Sequence, residues 1–144
     1  MSRTLFNQVN IVAADVDATI GFYRQLGVDL EDPARTSTGE PFHANSRGPG
    51  GSLEVDSPDF ARVWNQGWKD VPDIAGRLVI GLRVEDRAAV DHLYARIVAA
   101  GHKSLQPPFD AFWGGRYAVV EDPDGNAVGL MSPRDADGRA PPPF

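Results

Sequence analysis

Polar side chains able to bind or activate a small molecule lie in two short segments of the first half of the chain. Strand alternation in the first segment places Gln8 and Asn10 on one face. The same alternation in the second segment places Ser52, Glu54 and Asp56 on one face. A carboxylate beside apolar walls is suited to accept a proton from a bound molecule, so Glu54 is our candidate catalytic residue. The alternative is that Glu54 is a solvated carboxylate without a catalytic role.

The second half of the chain offers aromatic rather than acidic groups. Phe109, Phe112 and Trp113 offer surfaces against which a ring or a cation can stack, and the two glycines that follow would let a ligand approach the backbone closely. Arg116 follows them and is a candidate ligand-binding residue. The alternatives are that the indole only covers a hairpin and that the guanidinium pairs with one of the carboxylates further along the chain: Glu121, Asp122 or Asp124.

The elements that carry these residues recur in the same order in both halves. Leu5 to Val12 alternates as a strand, and Asp15 then caps a helix. The pattern returns at Leu78 to Val84, where Asp86, 71 residues after Asp15, caps a second helix. The short strands predicted after the two helices are Val28–Glu31, Phe42–Ala44 and Ser52–Asp56 in the first half, and Lys103–Gln106, Tyr117–Glu121 and Ala127–Met131 in the second. The chain therefore reads as an α+β protein of two tandem βαβββ modules.

The repeat also sets the domain limits. A single domain covers residues 1–131, with module one at about 5–56 and module two at about 78–131, and residues 132–144 form a Pro-rich tail. Between the modules we predict a linker helix within residues 57–77, which Pro58 begins and which carries Phe60, Trp64 and Trp68 on one face. We expect that aromatic face to serve packing or a subunit contact.

Composition narrows the possible partners. The 144 residues carry a formal charge of −6 without a basic block, which argues against nucleic-acid binding and favours cationic or neutral small ligands. The absence of cysteine excludes disulfides and cysteine-zinc sites. No signal-peptide pattern opens the chain and no apolar run is long enough to cross a membrane, so we expect a cytoplasmic protein without a membrane partner.

The second half closes with a hairpin whose turn, residues 122–126, has the sequence Asp-Pro-Asp-Gly-Asn. Together with the Phe22-Tyr23…Leu26-Gly27 helix end after Asp15 and with the repeated modules, this hairpin resembles the vicinal oxygen chelate superfamily over residues 5–131. That superfamily includes glyoxalases, extradiol dioxygenases, fosfomycin-modifying enzymes and bleomycin-resistance proteins. The resemblance implies that the two modules form a curled mixed sheet, an open barrel-like cup that contains the site.

The resemblance also implies positions for a divalent metal ion, which the metal-dependent members bind in this cup. Carried onto this chain, the four ligand positions fall on Gln8, Glu54, Val79 and Gly129. The last two offer no side-chain donor, and the three histidines of the chain fall at none of the four positions. Two ligands are too few for a tight site, so we predict that no metal or other cofactor is bound. The weaker alternative is a divalent metal held by Gln8 and Glu54.

The run from Trp113 to Arg116 resembles the bleomycin-resistance branch, whose acidic dimers enclose flat cationic ligands without metal and without catalysis. We therefore predict a homodimer that binds an amphipathic or cationic aromatic molecule, independently of metal, in the cup or in a dimer groove. The predicted ligand-binding residues are Gln8, Asn10, Ser52, Asp56, Phe109, Phe112, Trp113, Arg116 and Met131. One alternative is a lyase, isomerase or dioxygenase-like enzyme of the same superfamily that uses Glu54 as base or residual metal ligand. The other is an interaction module with Trp64 and Trp68 as its contact patch.

Overall fold

Two compact units make up the chain, and they divide between residues 72 and 73. The computed structural model describes residues 5–70 and 78–143. Within those residues the strands form two sheets of four, neither of which is closed, and helices accompany each sheet. The mixed α+β fold with two tandem modules is thereby confirmed. No helix of the described residues combines the length and the apolar character needed to cross a membrane.

The first unit consists of one mixed sheet and two helices. In chain order its elements are β1 (Gln8–Val12), α1 (Val16–Gln25), β2 (Ala34–Arg35), β3 (Pro41–Asn45), β4 (Ser52–Asp56) and α2 (Pro58–Trp64). The strand order is β1-β4-β3-β2, with β1 parallel to β4 and the other pairs antiparallel. The Asp15 carboxylate caps α1 by accepting a hydrogen bond from the Ala18 N–H at 2.9 Å. Ile20 and Tyr23 of α1 and Val55 of β4 are buried in the core of this unit.

The second unit repeats this arrangement with a longer helix. Its elements are β5 (Val79–Arg83), α3 (Arg87–Ala99), β6 (Ser104–Asp110), β7 (Arg116–Glu121), β8 (Ala127–Met131) and a short 3-10 helix (Ala136–Gly138). The strand order is β5-β8-β7-β6, and β5 is parallel to β8. Asp86 caps α3 through the Ala89 N–H at 2.8 Å, as Asp15 caps α1. Val90 and Ile97 of α3 and Val120 of β7 are fully buried in this unit.

Two elements differ from those that the sequence predicts. The strand predicted at Val28–Glu31 is wrong: Leu30 alone forms an isolated bridge there, and the paired strand is the two-residue β2. Leu30 is 3% exposed, so its apolar character reflects burial in the core rather than membership of a strand. The linker helix ends at Trp64, so Trp68 lies outside it and does not share its face as predicted. The Asn65 side chain accepts a hydrogen bond from the Gly67 N–H at 3.0 Å and so competes with a further helical turn. Residues 71–77 of the predicted linker lie outside the described residues.

The closing hairpin has the turn that its sequence predicts. The Asp122 carboxylate accepts hydrogen bonds from the backbone N–H groups of Asp124 and Asn126, at 2.9 and 2.8 Å, and from the Asn126 amide at 2.8 Å. Gly125 occupies the left-handed region with φ of +86°, which glycine adopts without strain. The turn fixes the register of β7 against β8, and this register decides which side chains lie above Gly129.

Candidate functional site

The polar residues of the first unit lie on the sheet face opposite α1. Val55, which alternates with Glu54 and Asp56 along β4, is buried in the core on the helix side. In the sheet register Asn10 of β1 is beside Glu54, and His43 of β3 is beside Asp56. Side chains from three strands therefore meet on this face.

Asp56 holds two of these side chains in place. It is fully buried, and both of its carboxylate oxygens accept hydrogen bonds. Oδ2 accepts from the amide of Asn10 at 2.7 Å, and Oδ1 accepts from Nδ1 of His43 at 2.6 Å. Gln8 extends the group, since its amide donates to Oδ1 of Asn10 at 2.8 Å. Asp56 and Asn10 are both predicted to bind a ligand, but these carboxylate and amide groups form hydrogen bonds with each other and with His43 and Gln8.

Glu54 differs from Asp56 in having an oxygen without a hydrogen-bond partner. Oε2 of Glu54 is 3.7 Å from Nε2 of His43, an electrostatic contact that is too long for a hydrogen bond. The residue is 9% exposed, and among the described residues this buried oxygen has no donor. The hydroxyl of Ser52, two residues earlier on the same strand face, is likewise buried without a partner among the described residues. Unpaired buried polar atoms of this kind are uncommon in folded proteins, and an ordered water, an ion or a ligand group can satisfy them.

Sequence reasoning missed His43. The strand Phe42–Ala44 was correctly placed within β3, but the pairing of β3 with β4, which sets His43 beside Asp56, does not follow from alternation along one strand. The ring is fixed further by Phe60 of α2, whose centroid lies 5.5 Å away in an edge-to-face arrangement. A usable signal was the alternation of two acids in β4 next to a histidine-bearing strand in the same module.

The second unit presents four aromatic rings, each in contact with at least one of the others and here called the aromatic cluster: Phe109, Phe112, Trp113 and Tyr117. Trp113 is central, with ring centroids at 5.3 Å from Phe112, 5.5 Å from Tyr117 and 6.3 Å from Phe109. The interplanar angles, from 70° to 80°, are those of edge-to-face packing. The structure therefore brings together the three predicted aromatic residues and adds Tyr117. Met131, half-buried on β8, is the register partner of Tyr117.

Two glycines make room for this cluster. A Cβ built on Gly129 would lie 2.5 Å from Oη of Tyr117 and 2.9 Å from its ring, so the phenol occupies the space of a side chain at that position. A Cβ built on Gly115 would lie 3.0 Å from Nε1 of Trp113, which is buried and lacks a hydrogen-bond partner among the described residues. Burial in this environment raises the pKa of the Tyr117 phenol, which keeps it a neutral hydrogen-bond donor.

Arg116 lies apart from the cluster, although it precedes Tyr117 directly. Its guanidinium donates to Asp91 of α3 at 2.8 and 3.1 Å and to Asp110 of β6 at 3.2 Å. The hydrogen bond to Asp91 is the main cause of the raised pKa of Arg116. Alternation along β7 explains this placement, because it turns Arg116 toward α3 and Tyr117 toward the opposite face. The carboxylates that pair with Arg116 are thus not the three that follow it in the sequence.

The chain after β8 folds back onto the loop that carries Phe112 and Trp113. The N–H of Ala140 donates to the carbonyl of Phe112 at 2.8 Å, and the N–H of Asp135 donates to the carbonyl of Gly114 at 2.8 Å. Gly114 has φ of +91°, and a Cβ there would collide with the carbonyl oxygen of Asp135. Residues 135–140 of the Pro-rich tail therefore help to fix the aromatic loop.

The four positions at which the resemblance implies metal ligands do not fit a divalent metal ion. Gln8 uses both ends of its amide, because Oε1 accepts from Asn7 at 2.7 Å and Nε2 donates to Asn10. Val79 has no donor atom in its side chain, and the place of a side chain at Gly129 is filled by Tyr117. Among the described residues no group of three His, Cys, Asp or Glu side chains is arranged to hold a metal ion. A divalent cation needs more donors than Glu54 and Nε2 of the neighbouring His43 can give.

Comparison with known proteins finds one family across most of the chain. The model of the Glyoxalase/Bleomycin resistance protein/Dioxygenase superfamily matches residues 5–130. No curated protein sequence matches the chain.

Solved structures with the same fold share little sequence with this chain. A glyoxalase-related enzyme from Fulvimarina pelagi is 23% identical, with a TM-score of 0.72, over 94% of this chain and 96% of that one. A glyoxalase/bleomycin resistance protein/dioxygenase from Nocardioides is 20% identical, with a TM-score of 0.70, over 100% and 91%. A lactoylglutathione lyase from Agrobacterium tumefaciens is 17% identical, with a TM-score of 0.62, over 92% and 96%. At these identities the likeness concerns the fold alone.

Proposed function

Because the chain belongs to the glyoxalase/bleomycin resistance protein/dioxygenase superfamily, we propose that it is a member that binds a small aromatic molecule without a metal ion. The observation that carries this proposal is the packing of Tyr117 over Gly129. At the position where the resemblance implies the last metal ligand, this chain has an aromatic surface in place of a donor side chain. A site changed in this way favours ring stacking over metal chemistry.

The aromatic cluster supplies what a flat ligand needs. The edge-to-face contacts among its rings hold Trp113 and Tyr117 in fixed orientations, so little side-chain freedom is lost on binding. Phe109 is 37% exposed, which leaves part of the cluster accessible to a ligand. The formal charge of −6 favours a cationic ring over an anionic one. Arg116, by contrast, has no part in the proposed contact, because two carboxylates already hold it.

Equilibrium dialysis with 9-aminoacridine, a flat cationic ring, tests this proposal in buffer that contains EDTA. We expect saturable binding by the wild-type protein and about tenfold weaker binding by Trp113→Leu. The matched control is Trp64→Leu, since Trp64 is a half-exposed tryptophan of α2 outside the cluster. A wild-type protein that shows no saturable binding, or an equal loss in both variants, would contradict the proposal.

The second candidate is an enzyme of the same superfamily, a lyase, isomerase or dioxygenase-like protein, with Glu54 as its base or residual metal ligand. The observation in its favour is the sequence of contacts from Asp56 through His43 to Glu54, because a carboxylate that orients a histidine is common in proton-transfer sites. Proton exchange distinguishes a binding protein from an enzyme, provided that the enzyme is a lyase or an isomerase. In D2O, a lyase or isomerase would exchange the α-proton of a bound carbonyl compound, and Glu54→Gln would abolish that exchange. A binding protein would leave the proton in place.

A further inference from the structure

Oε2 of Glu54 is buried without a hydrogen-bond donor among the described residues, which points to a donor from a bound group. We propose that Glu54, with the hydroxyl of Ser52 beside it, binds the ammonium group of an organic ligand on the sheet face opposite α1. This inference goes beyond the proposed function, because it concerns the first unit alone and does not depend on the aromatic cluster of the second unit.

Asp56 is not available for this role. Both of its oxygens are occupied, one by the amide of Asn10 at 2.7 Å and one by the ring of His43 at 2.6 Å. Its full burial and these two donors make it the residue that positions the others. The two acids of β4 therefore differ: Asp56 positions its neighbours, whereas Oε2 of Glu54 is available to accept a hydrogen bond from a ligand.

The local charge favours a cation. Glu54 and Asp56 lie two residues apart on one strand face, and neither is paired with a lysine or arginine of the described residues. His43 contacts both carboxylates and adds at most one positive charge to the two negative ones. A positive charge in contact with Oε2 would balance a carboxylate that is otherwise nearly removed from water.

A primary ammonium satisfies the unpaired atoms better than the other cations. It has N–H donors only, which suits Oε2 of Glu54 and Oγ of Ser52, since both are buried acceptors without a partner among the described residues. A divalent metal ion would need further protein donors. Both oxygens of Asp56 are already hydrogen-bonded, one to Nδ1 of His43 and the other to the amide of Asn10. A buried water could donate to the same atoms but would leave the negative charge uncompensated.

Titration with n-butylammonium chloride tests the inference, with backbone amide NMR signals of residues 52–56 as the readout. The buffer contains EDTA, and sodium chloride at equal ionic strength gives the reference. We expect saturable shifts in the wild type and in the matched control Glu40→Gln, whose glutamate is exposed. In Glu54→Gln we expect binding about tenfold weaker or more, because the charge of the acceptor is lost.

A second probe keeps the test decisive if Glu54→Gln does not fold. Butan-1-ol has the same chain without the charge, and we expect it to produce no saturable shift in the wild-type protein. Equal shifts with the alcohol and the amine, shifts no larger than those with sodium chloride, or full binding in a folded Glu54→Gln would each overturn the inference. Because neither probe carries a ring, this failure is distinct from a failure to bind 9-aminoacridine, which concerns the proposed function.

Discussion

Tyr117 takes the place that a side chain at Gly129 would occupy: a Cβ on the glycine would lie 2.5 Å from the phenol oxygen. The two residues are not register partners, since Tyr117 pairs with Met131 and Gly129 with Val119. The ring therefore leans diagonally across the face of the sheet, over the one β8 residue that has no side chain to stop it. The absence of a side chain at Gly129 thus also sets the shape of the aromatic cluster.

Substitution of Gly129 by alanine tests this contact. We expect Gly129→Ala to lower the free energy of unfolding by about 1–3 kcal/mol, because the ring of Tyr117 must move. Gly81 is the matched control, since it pairs with Gly129 in the sheet and nothing lies within 4 Å of a Cβ built on it. Urea unfolding of both variants provides the measurement. Equal losses of stability in the two variants would show that Tyr117 does not fill the space above Gly129.

The raised pKa of Tyr117 predicts an alkaline loss of stability. Burial raises the pKa of the phenol above its usual 10.0, so the folded chain keeps this proton at a pH where the unfolded chain releases it. The contribution to stability is complete below the unfolded pKa and is lost as the pH rises through the folded pKa. We expect urea midpoints of the wild type to fall more steeply than those of Tyr117→Phe above about pH 10. Parallel curves for the two proteins would contradict the assignment.

The hydrogen bonds of Asp56 predict a large effect of its removal. Asp56→Ala leaves Asn10 and His43 without their acceptor, and we expect the free energy of unfolding to fall by about 2–4 kcal/mol. Asp59→Ala is the matched control, because Asp59 lies in the first turn of α2 and its ion pair with Arg62 is exposed, worth about 0.5 kcal/mol. Urea unfolding at neutral pH compares the two. A small effect of Asp56→Ala would mean that His43 is held in place by Phe60 rather than by the carboxylate.

The sequence predicted the two modules and which side chains share a strand face, because both depend on local periodicity. Aspartate caps at residues 15 and 86 marked both helices, and alternation placed Asn10 and Asp56 on one face, where they share a hydrogen bond. That pattern did not predict that Asp56 has both oxygens hydrogen-bonded while Oε2 of Glu54 has no donor among the described residues. This difference depends on β3, because His43 reaches one carboxylate with a hydrogen bond and the other only at 3.7 Å.

In the second unit, too, contacts between strands did not follow from the periodicity of each strand. The sequence shows that residue 129 is a glycine without a side-chain donor, but that Tyr117 fills its place depends on how the ring leans across β7 and β8. The sequence predicted that Trp113 and Phe112 contact a ligand or cover the hairpin. It did not predict the hydrogen bond by which the N–H of Ala140 joins the tail to the carbonyl of Phe112. Long-range backbone pairing of this kind leaves no periodic signal in the residues that form it.

The fold-back of the chain onto the aromatic loop predicts different effects at two glycines with similar backbone angles. Gly114 and Gly125 have φ of +91° and +86°, so alanine at either position strains the backbone by about 1–2 kcal/mol. Only at Gly114 would the new Cβ also collide with the carbonyl of Asp135, which displaces the segment that follows β8. We expect Gly114→Ala to accelerate cleavage by trypsin after Arg134 and Gly125→Ala to leave it near the wild-type rate, with both followed by mass spectrometry. Equal cleavage of the two variants would mean that the contact between Gly114 and Asp135 does not hold this segment against the loop.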